Sequence, residues 1–257
     1  FTQAVGQDKI HITSLIPDGT EPHDFQPTTK TMQALSKADI LIYNSTGMER
    51  WVEQATQAAA NPKLVIVEAS KDTNRISLTE ADEIRAHGQY DPHTWLSLSC
   101  AQTEVKNIAE ALAAADKTNA DFYRKNAAEY NQKLQALLAA YQKKFSKLEQ
   151  KDFVTGHAAF AYLCRDFGLQ QQSIEDVFAS GEPSAQNLAK LTAYCKEHNV
   201  KTIFVEEAVS PKTSETLARE VGATTQEIYT IESSNGEKTY LTRMEENLDA
   251  IYKSLKK

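Results

Sequence analysis

No stretch of this chain stays apolar for the roughly 18–20 residues that a membrane-spanning helix needs. No basic start followed by an apolar run marks a signal peptide. Blocks of lysine or arginine are also missing. With 28 basic against 35 acidic residues and a net charge of −7, the chain is a poor partner for nucleic acid or an anionic membrane. There are only three cysteines, Cys100, Cys164 and Cys195, an odd number whose spacing fits no zinc-finger pattern. Two readings remain for them: a Cys164–Cys195 disulfide in an oxidising compartment, or buried free thiols. Neither H-E-x-x-H nor a nucleophile elbow occurs, so a zincin or an α/β-hydrolase has no motif to stand on. No low-complexity segment is present, and no internal repeat exceeds the rhythm described next.

The 257 residues, 41% of them hydrophobic, suffice for one large domain or two lobes with proper cores. "FTQAVGQDKIHITSLI" reads as the end of a helix, a turn at Gly6 and an alternating strand over 9–16. A parallel sheet ordinarily has a strand before such a helix, which points to a trimmed N-terminus. A helix over 29–38, a buried strand over 39–45, a helix over 47–60 and a strand over 63–70 follow, the pattern of β/α units. Residues 74–90 read as an irregular polar loop, and 94–116 becomes helical.

Residues 119–148 then run for 30 positions without glycine or proline. Phe122, Tyr130, Leu134, Leu137, Leu138, Tyr141 and Phe145 fall near helical spacing. Such a helix would be roughly 45 Å long, a strut rather than an ordinary globular helix. The β/α pattern restarts beyond it. "DFVTG" (152–156) is a strand and 157–168 a helix closed by Gly168. Residues 183–199 form a helix opened by Pro183, 200–208 a strand, 210–222 a helix capped by Gly222, and 239–257 a last helix. The fold class expected is α/β in two lobes, each a parallel sheet with flanking helices, joined by one long rigid helix. The lobes are 1–118 and 149–257, with 119–148 as the link.

Three of the six histidines share a setting. His23 follows Pro22 in "GTEPHDFQPT", His93 follows Pro92 in "YDPHTW", and His157 follows the "DFVTG" strand at the start of a helix. All three lie where strands give way to loops, the edge at which α/β sheets place ligands. The others differ: His11 is inside a strand, His87 in a loop, and His198 at a helix C-terminus where a cation is favoured anyway. Glu21, Asp24 and Asp91 stand beside the first two histidines. Each is either an acceptor that orients an imidazole or a capping or turn residue.

"GTEPHDFQPT", "YDPHTWLS", "VTGHAAFAYLCRDFGLQ" and "GEPSAQNLAKL", in this order around a strut helix, resemble the metal-binding solute-binding proteins of ABC importers. This is the cluster that includes the zinc-uptake proteins of the ZnuA and AdcA type, and the similarity runs the length of the chain. The resemblance implies two α/β lobes bridged by one helix, with a metal held between them. It carries the ligand positions onto His23, His93, His157 and, in "IYTIESSNG", Glu232. Here Thr230 stands where the family motif has proline. Glu206 and Glu207 of "IFVEEA" are the alternative carboxylates. Three imidazoles and one carboxylate suit zinc, whereas manganese-preferring members offer more carboxylate oxygen. The implied cargo is therefore one Zn2+ per chain, with Mn2+ the alternative. The resemblance also implies an extracytoplasmic monomer, periplasmic or lipid-anchored, that passes metal to an ABC permease and is not an enzyme. Two rival readings are an adhesin using the same site and a zinc hydrolase with Glu206 or Glu232 as general base. Zinc members often carry a histidine-rich loop before the "DPH" motif. Residues 73–90 hold only His87, so this chain either lacks that capture loop or has a shortened one.

Overall fold

Short apolar runs bounded by turn residues become the strands, and the amphipathic stretches between them become the helices. The computed structural model describes residues 1–179, 184–206, 210–233 and 238–256. The chain divides into two compact units, Phe1–Ala136 and Leu137–Lys257.

In the first unit, α1 (Thr2–Gly6) leads into a 3-10 turn at Gln7–Lys9. Residues 10–16, expected as a strand, form none. Ile10 has extended dihedrals, but His11, Ile12, Thr13 and Ser14 are exposed and pair with no neighbouring strand. Alternation describes two faces of an extended segment; a strand also requires a partner for its backbone groups. The helix α2 (Thr29–Leu35) opens with a capping box between Thr28 and Thr31. It is followed by β1 (Ile40–Tyr43), α3 (Val52–Ala59) and β2 (Val65–Glu68). The two strands are parallel, in register from Ile40↔Val65 to Tyr43↔Glu68. Leu35, Leu41, Val52 and Ala55 form the core between them and the helices. The stretch read as a loop contains α4 (Ala81–His87). Asp82 and Glu83 lie in its first turn, Arg85 and His87 in its last, and Gly88 (φ 99°) ends it. That charge order suits the helix dipole, a signal that outweighs the absence of an apolar face. Next come α5 (Leu98–Ala115), capped by Ser97, and α6 (Ala120–Phe145), which links the two units. At 26 residues, α6 is about 39 Å long.

The second unit carries β3 (Asp152–Thr155), α7 (Ala161–Phe167), β4 (Gln170–Ser173), α8 (Ala185–Glu197), β5 (Thr202–Glu206), α9 (Lys212–Val221), β6 (Thr224–Ile228) and α10 (Tyr240–Leu255). Its sheet is parallel throughout, in the order β4-β3-β5-β6. Phe153, Val154, Ile203 and Phe204 make the two inner strands apolar and buried. The edge strands are polar, "QQQS" and "TTQEI". That polarity is why β4 does not register as a strand in the sequence. Pro183, expected to open α8, lies outside the described residues; Ser184 caps the helix by accepting from Asn187 N. The proposed Cys164–Cys195 pairing is not present: neither thiol is in a disulfide, and both are buried. Cys195 packs with Val154, Leu191, Val200 and Ile203, and burial pushes the Cys164 thiol well up. Both behave as small apolar residues.

A polar network under the Asp91–Leu96 loop ties the first unit together. Asn44, just past β1, donates through Nδ2 to Pro92 O (2.7 Å), which leaves its Oδ1 facing Thr94 Oγ1 (3.1 Å). Thr94 Oγ1 is also 2.7 Å from Glu104 Oε1. One hydroxyl proton serves both acceptors fully only when Glu104 carries a proton of its own. Burial pushes the Glu104 carboxyl up to about 7, with Thr94 pulling it down and the Glu49 charge adding to the rise. The folded chain therefore holds a proton that the unfolded chain has already released. The stability this confers is present below about pH 4 and is lost as pH rises through about 7. Glu104→Gln cannot titrate. Relative to the parent it should gain on the order of 2–3 kcal/mol between about pH 4.5 and pH 8, read from denaturant melts of apo-protein. Parallel stability–pH curves for the two proteins would refute this.

Candidate metal centre

His23 lies in the 3-10 helix Pro22–Asp24, a turn whose first position suits proline. Glu21 caps it, accepting from His23 N at 3.3 Å. Phe25, next along, is buried with its ring 5.5 Å from that of Trp51. Glu21 is thus a cap on the backbone, and Asp24 is exposed.

His93 sits in a run, Asp91 to Leu98, that is buried at every position. Asp91 does both things expected of an acid there. Its Oδ1 accepts from His93 N and from His93 Nδ1, each at 2.9 Å. A carboxylate on Nδ1 places that nitrogen's proton toward Asp91 and leaves Nε2 with its lone pair outward, the tautomer of a ligand. Trp95, buried, packs its ring 5.3 Å from the His93 ring, a wall and not a donor. His23 Nε2 and His93 Nε2 are 3.3 Å apart, with the rings crossed at 70°. Two ring nitrogens this close need a proton or a cation between them.

In the second unit, His157 lies in the turn between β3 and α7, four residues before the helix and not in its first turn as expected. It is 1% exposed. Glu206, at the end of β5 and 3% exposed, accepts from His157 N at 3.0 Å. Its other oxygen fills the space over Gly156, where a Cβ would lie 2.0 Å from Oε2. Glycine is required there because the carboxylate occupies the side-chain position. Burial pushes Glu206 up to about 8, and the nearby Glu232 charge adds to the rise. Glu206 therefore faces the backbone of His157, with its Oε1 at 3.7 Å from Nδ1.

Glu232 Oε1 is 4.0 Å from His157 Nε2. Thr230, 1% exposed, donates through Oγ1 to Glu232 Oε2 at 3.0 Å. The threonine that departs from the family motif thus orients the carboxylate, which proline could not do. Ile231 between them has φ 58°, a conformation rare for a β-branched residue and typical of functional turns. From α10, Asn247 bonds both sides of the Tyr229 peptide (2.8 and 2.7 Å) and Arg243 donates to Ser233 O (2.7 Å). Glu207 lies outside the described residues. Of the remaining histidines, His11 is exposed and His198 stacks on Tyr194 with centroids 4.1 Å apart.

The first unit thus pairs His23 with His93, and the second pairs His157 with Glu232. What the sequence did not reveal is the support that Asn44 and Asn247 give, while Glu206 was already read there as an alternative carboxylate. The signal for Glu206 was its place at the end of a strand.

The model of the family described as zinc-uptake complex component A, periplasmic, matches residues 1–254. The high-affinity zinc uptake system protein ZnuA of Bacillus subtilis (strain 168) is 41% identical, over 99% of this chain and 84% of its own length. Among solved structures, the laminin-binding protein Lmb of Streptococcus agalactiae, titled a bifunctional protein with adhesin and metal-transporting activity, superposes with a TM-score of 0.89. It is 34% identical and is matched over 99% of this chain and 94% of that one. The metal-dependent lipoprotein YcdH of Bacillus subtilis gives 0.83 at 41% identity, over 99% and 94%. No helix among the described residues is long and apolar enough to cross a membrane. The chain belongs to the ZnuA family of zinc-uptake solute-binding components.

Proposed function

We propose that this protein captures one zinc ion outside the cytoplasmic membrane and hands it, as a monomer, to an ABC importer permease. His23 and His93 supply two donors and His157 and Glu232 the other two, a set of four that could hold a metal ion. The observation that carries the reading is the nature of this set. Each imidazole is on irregular backbone, His23 in a 3-10 turn, His93 at the cap of another and His157 just after β3, and the one carboxylate is oriented by a neighbouring hydroxyl. Four protein donors complete the usual shell of zinc, whereas a catalytic zinc keeps a position for water. The metal is cargo, and no chemical step is assigned to the protein. Three borderline nitrogens favour Zn2+ over the harder Mn2+, which takes more oxygen. The zinc-uptake names of its relatives support the same assignment.

Competition with a chromophoric chelator should show one tight site per chain, with Zn2+ far ahead of Mn2+. Equal affinities or two tight sites would contradict the reading. Glu232→Ala should weaken zinc binding less than His157→Ala, since water takes a vacated oxygen position more readily than it replaces an imidazole. If Glu232→Ala leaves affinity unchanged while Glu206→Ala abolishes it, the fourth donor is Glu206.

A further inference from the structure

His93 is held by a carboxylate at 2.9 Å from its ring nitrogen, and His157 is also fastened through its own backbone amide and carbonyl. Glu206 takes its N–H. Its carbonyl oxygen accepts from Thr155 Oγ1 and from Gln171 Nε2, each at 2.7 Å. Gln171 is half-buried on β4, opposite Phe153 in register. Its Nε2 donates a second time, to Thr155 Oγ1 (2.5 Å), and its Oε1 accepts from Phe160 N (2.8 Å). Both amide protons and the amide oxygen are therefore used. Because Phe160 N can only donate, the amide has one orientation.

The bonds have a shared geometry. They fasten the turn at Thr155, at His157 itself and at Phe160, the residue before α7. Those are the points that decide where the His157 Cα–Cβ bond aims. Irregular backbone buried at this depth must find partners within the protein; Gln171 supplies two of them and steadies a third, the Thr155 hydroxyl that also bonds His157 O. Asn44 does the like around His93, bonding Pro92 O and facing Thr94 Oγ1.

We infer that Gln171, which fastens the Thr155–Phe160 turn from the neighbouring strand, is a positioning residue that aims His157 at the metal. The inference rests on the zinc-binding reading above. A ring aimed a fraction of an ångström off does not lose its nitrogen; it loses tetrahedral alignment, and affinity falls while the donor set stays the same.

The test compares parent, Gln171→Met and Gln170→Met. Methionine keeps the length of the side chain without its hydrogen bonds, and Gln170 is the exposed neighbour on the same strand. Each protein is titrated with zinc against a chelator, loaded with Co2+ for its visible ligand-field spectrum, and melted as apo-protein. Gln171→Met should bind zinc about 10–100-fold more weakly, the usual effect of losing a partner that orients a ligand. It should also shift and weaken the cobalt bands. Gln170→Met should match the parent in both. Zinc affinity within twofold of the parent, or a lowered affinity with an unchanged cobalt spectrum, overturns the inference. If Gln171→Met does not fold, Gln171→Glu, which keeps the acceptor for Phe160 N and loses both donors, is held to the same criteria. A parent that binds no zinc overturns the functional reading and this inference together. A parent that binds while the Gln171 variants match it overturns this inference alone.

Discussion

A buried turn must satisfy its own backbone polar groups, and the local structure around each donor here follows from that requirement. His93 and His157 are essentially inaccessible, yet both lie on irregular backbone. An unpaired amide or carbonyl at that depth costs free energy comparable to a lost hydrogen bond, so neighbouring side chains are recruited. Asn44, Asp91, Gln171, Glu206 and Asn247 each accept from or donate to the backbone of a donor-bearing segment. The same bonds that make burial tolerable also remove the freedom of the turn to aim its side chain elsewhere. Stability of the turn and alignment of the donor are one device.

Electrostatics add a second layer. Glu104 and Glu206 are buried carboxyls pushed up to about 7 and about 8, chiefly by desolvation. Each engages a group next to a histidine: Thr94 in one case, the His157 amide in the other. Glu232 is distinct. Its Oε2 is held by the Thr230 hydroxyl and its Oε1 lies 4.0 Å from His157 Nε2, so it faces an imidazole where Glu206 faces a backbone amide. The three acids therefore divide by what they face, not by residue type.

Most of the architecture was legible as β/α rhythm, because β1, β2, β3 and β5 are apolar runs and α5, α6, α8 and α10 are long amphipathic segments. The exceptions have physical reasons. β4 is a polar edge strand, so "QQQS" shows no alternation and Gln171 went unnoticed with it. Residues 10–16 alternate but have no partner strand. α4 lacks an apolar face and is legible only by its charge order and Gly88. At the site, His23, His93 and His157 were marked by their places after prolines or a strand. Glu232 depended on family resemblance, since its local sequence carries threonine in place of the motif's proline. Asn44 and Asn247 fall within the strand expected over 39–45 and the helix expected over 239–257, and an amide's role is visible only once its three-dimensional neighbours are known.

The central claim is that one zinc ion is held by three imidazoles and a carboxylate of this chain. X-ray absorption at the zinc K-edge of protein loaded with one equivalent tests it most directly. The account predicts a four-coordinate first shell of nitrogen and oxygen near ~2.0–2.1 Å, with outer-shell scattering from three imidazole rings. A shell containing fewer than three imidazoles, or a sulfur scatterer near ~2.3 Å, would contradict it.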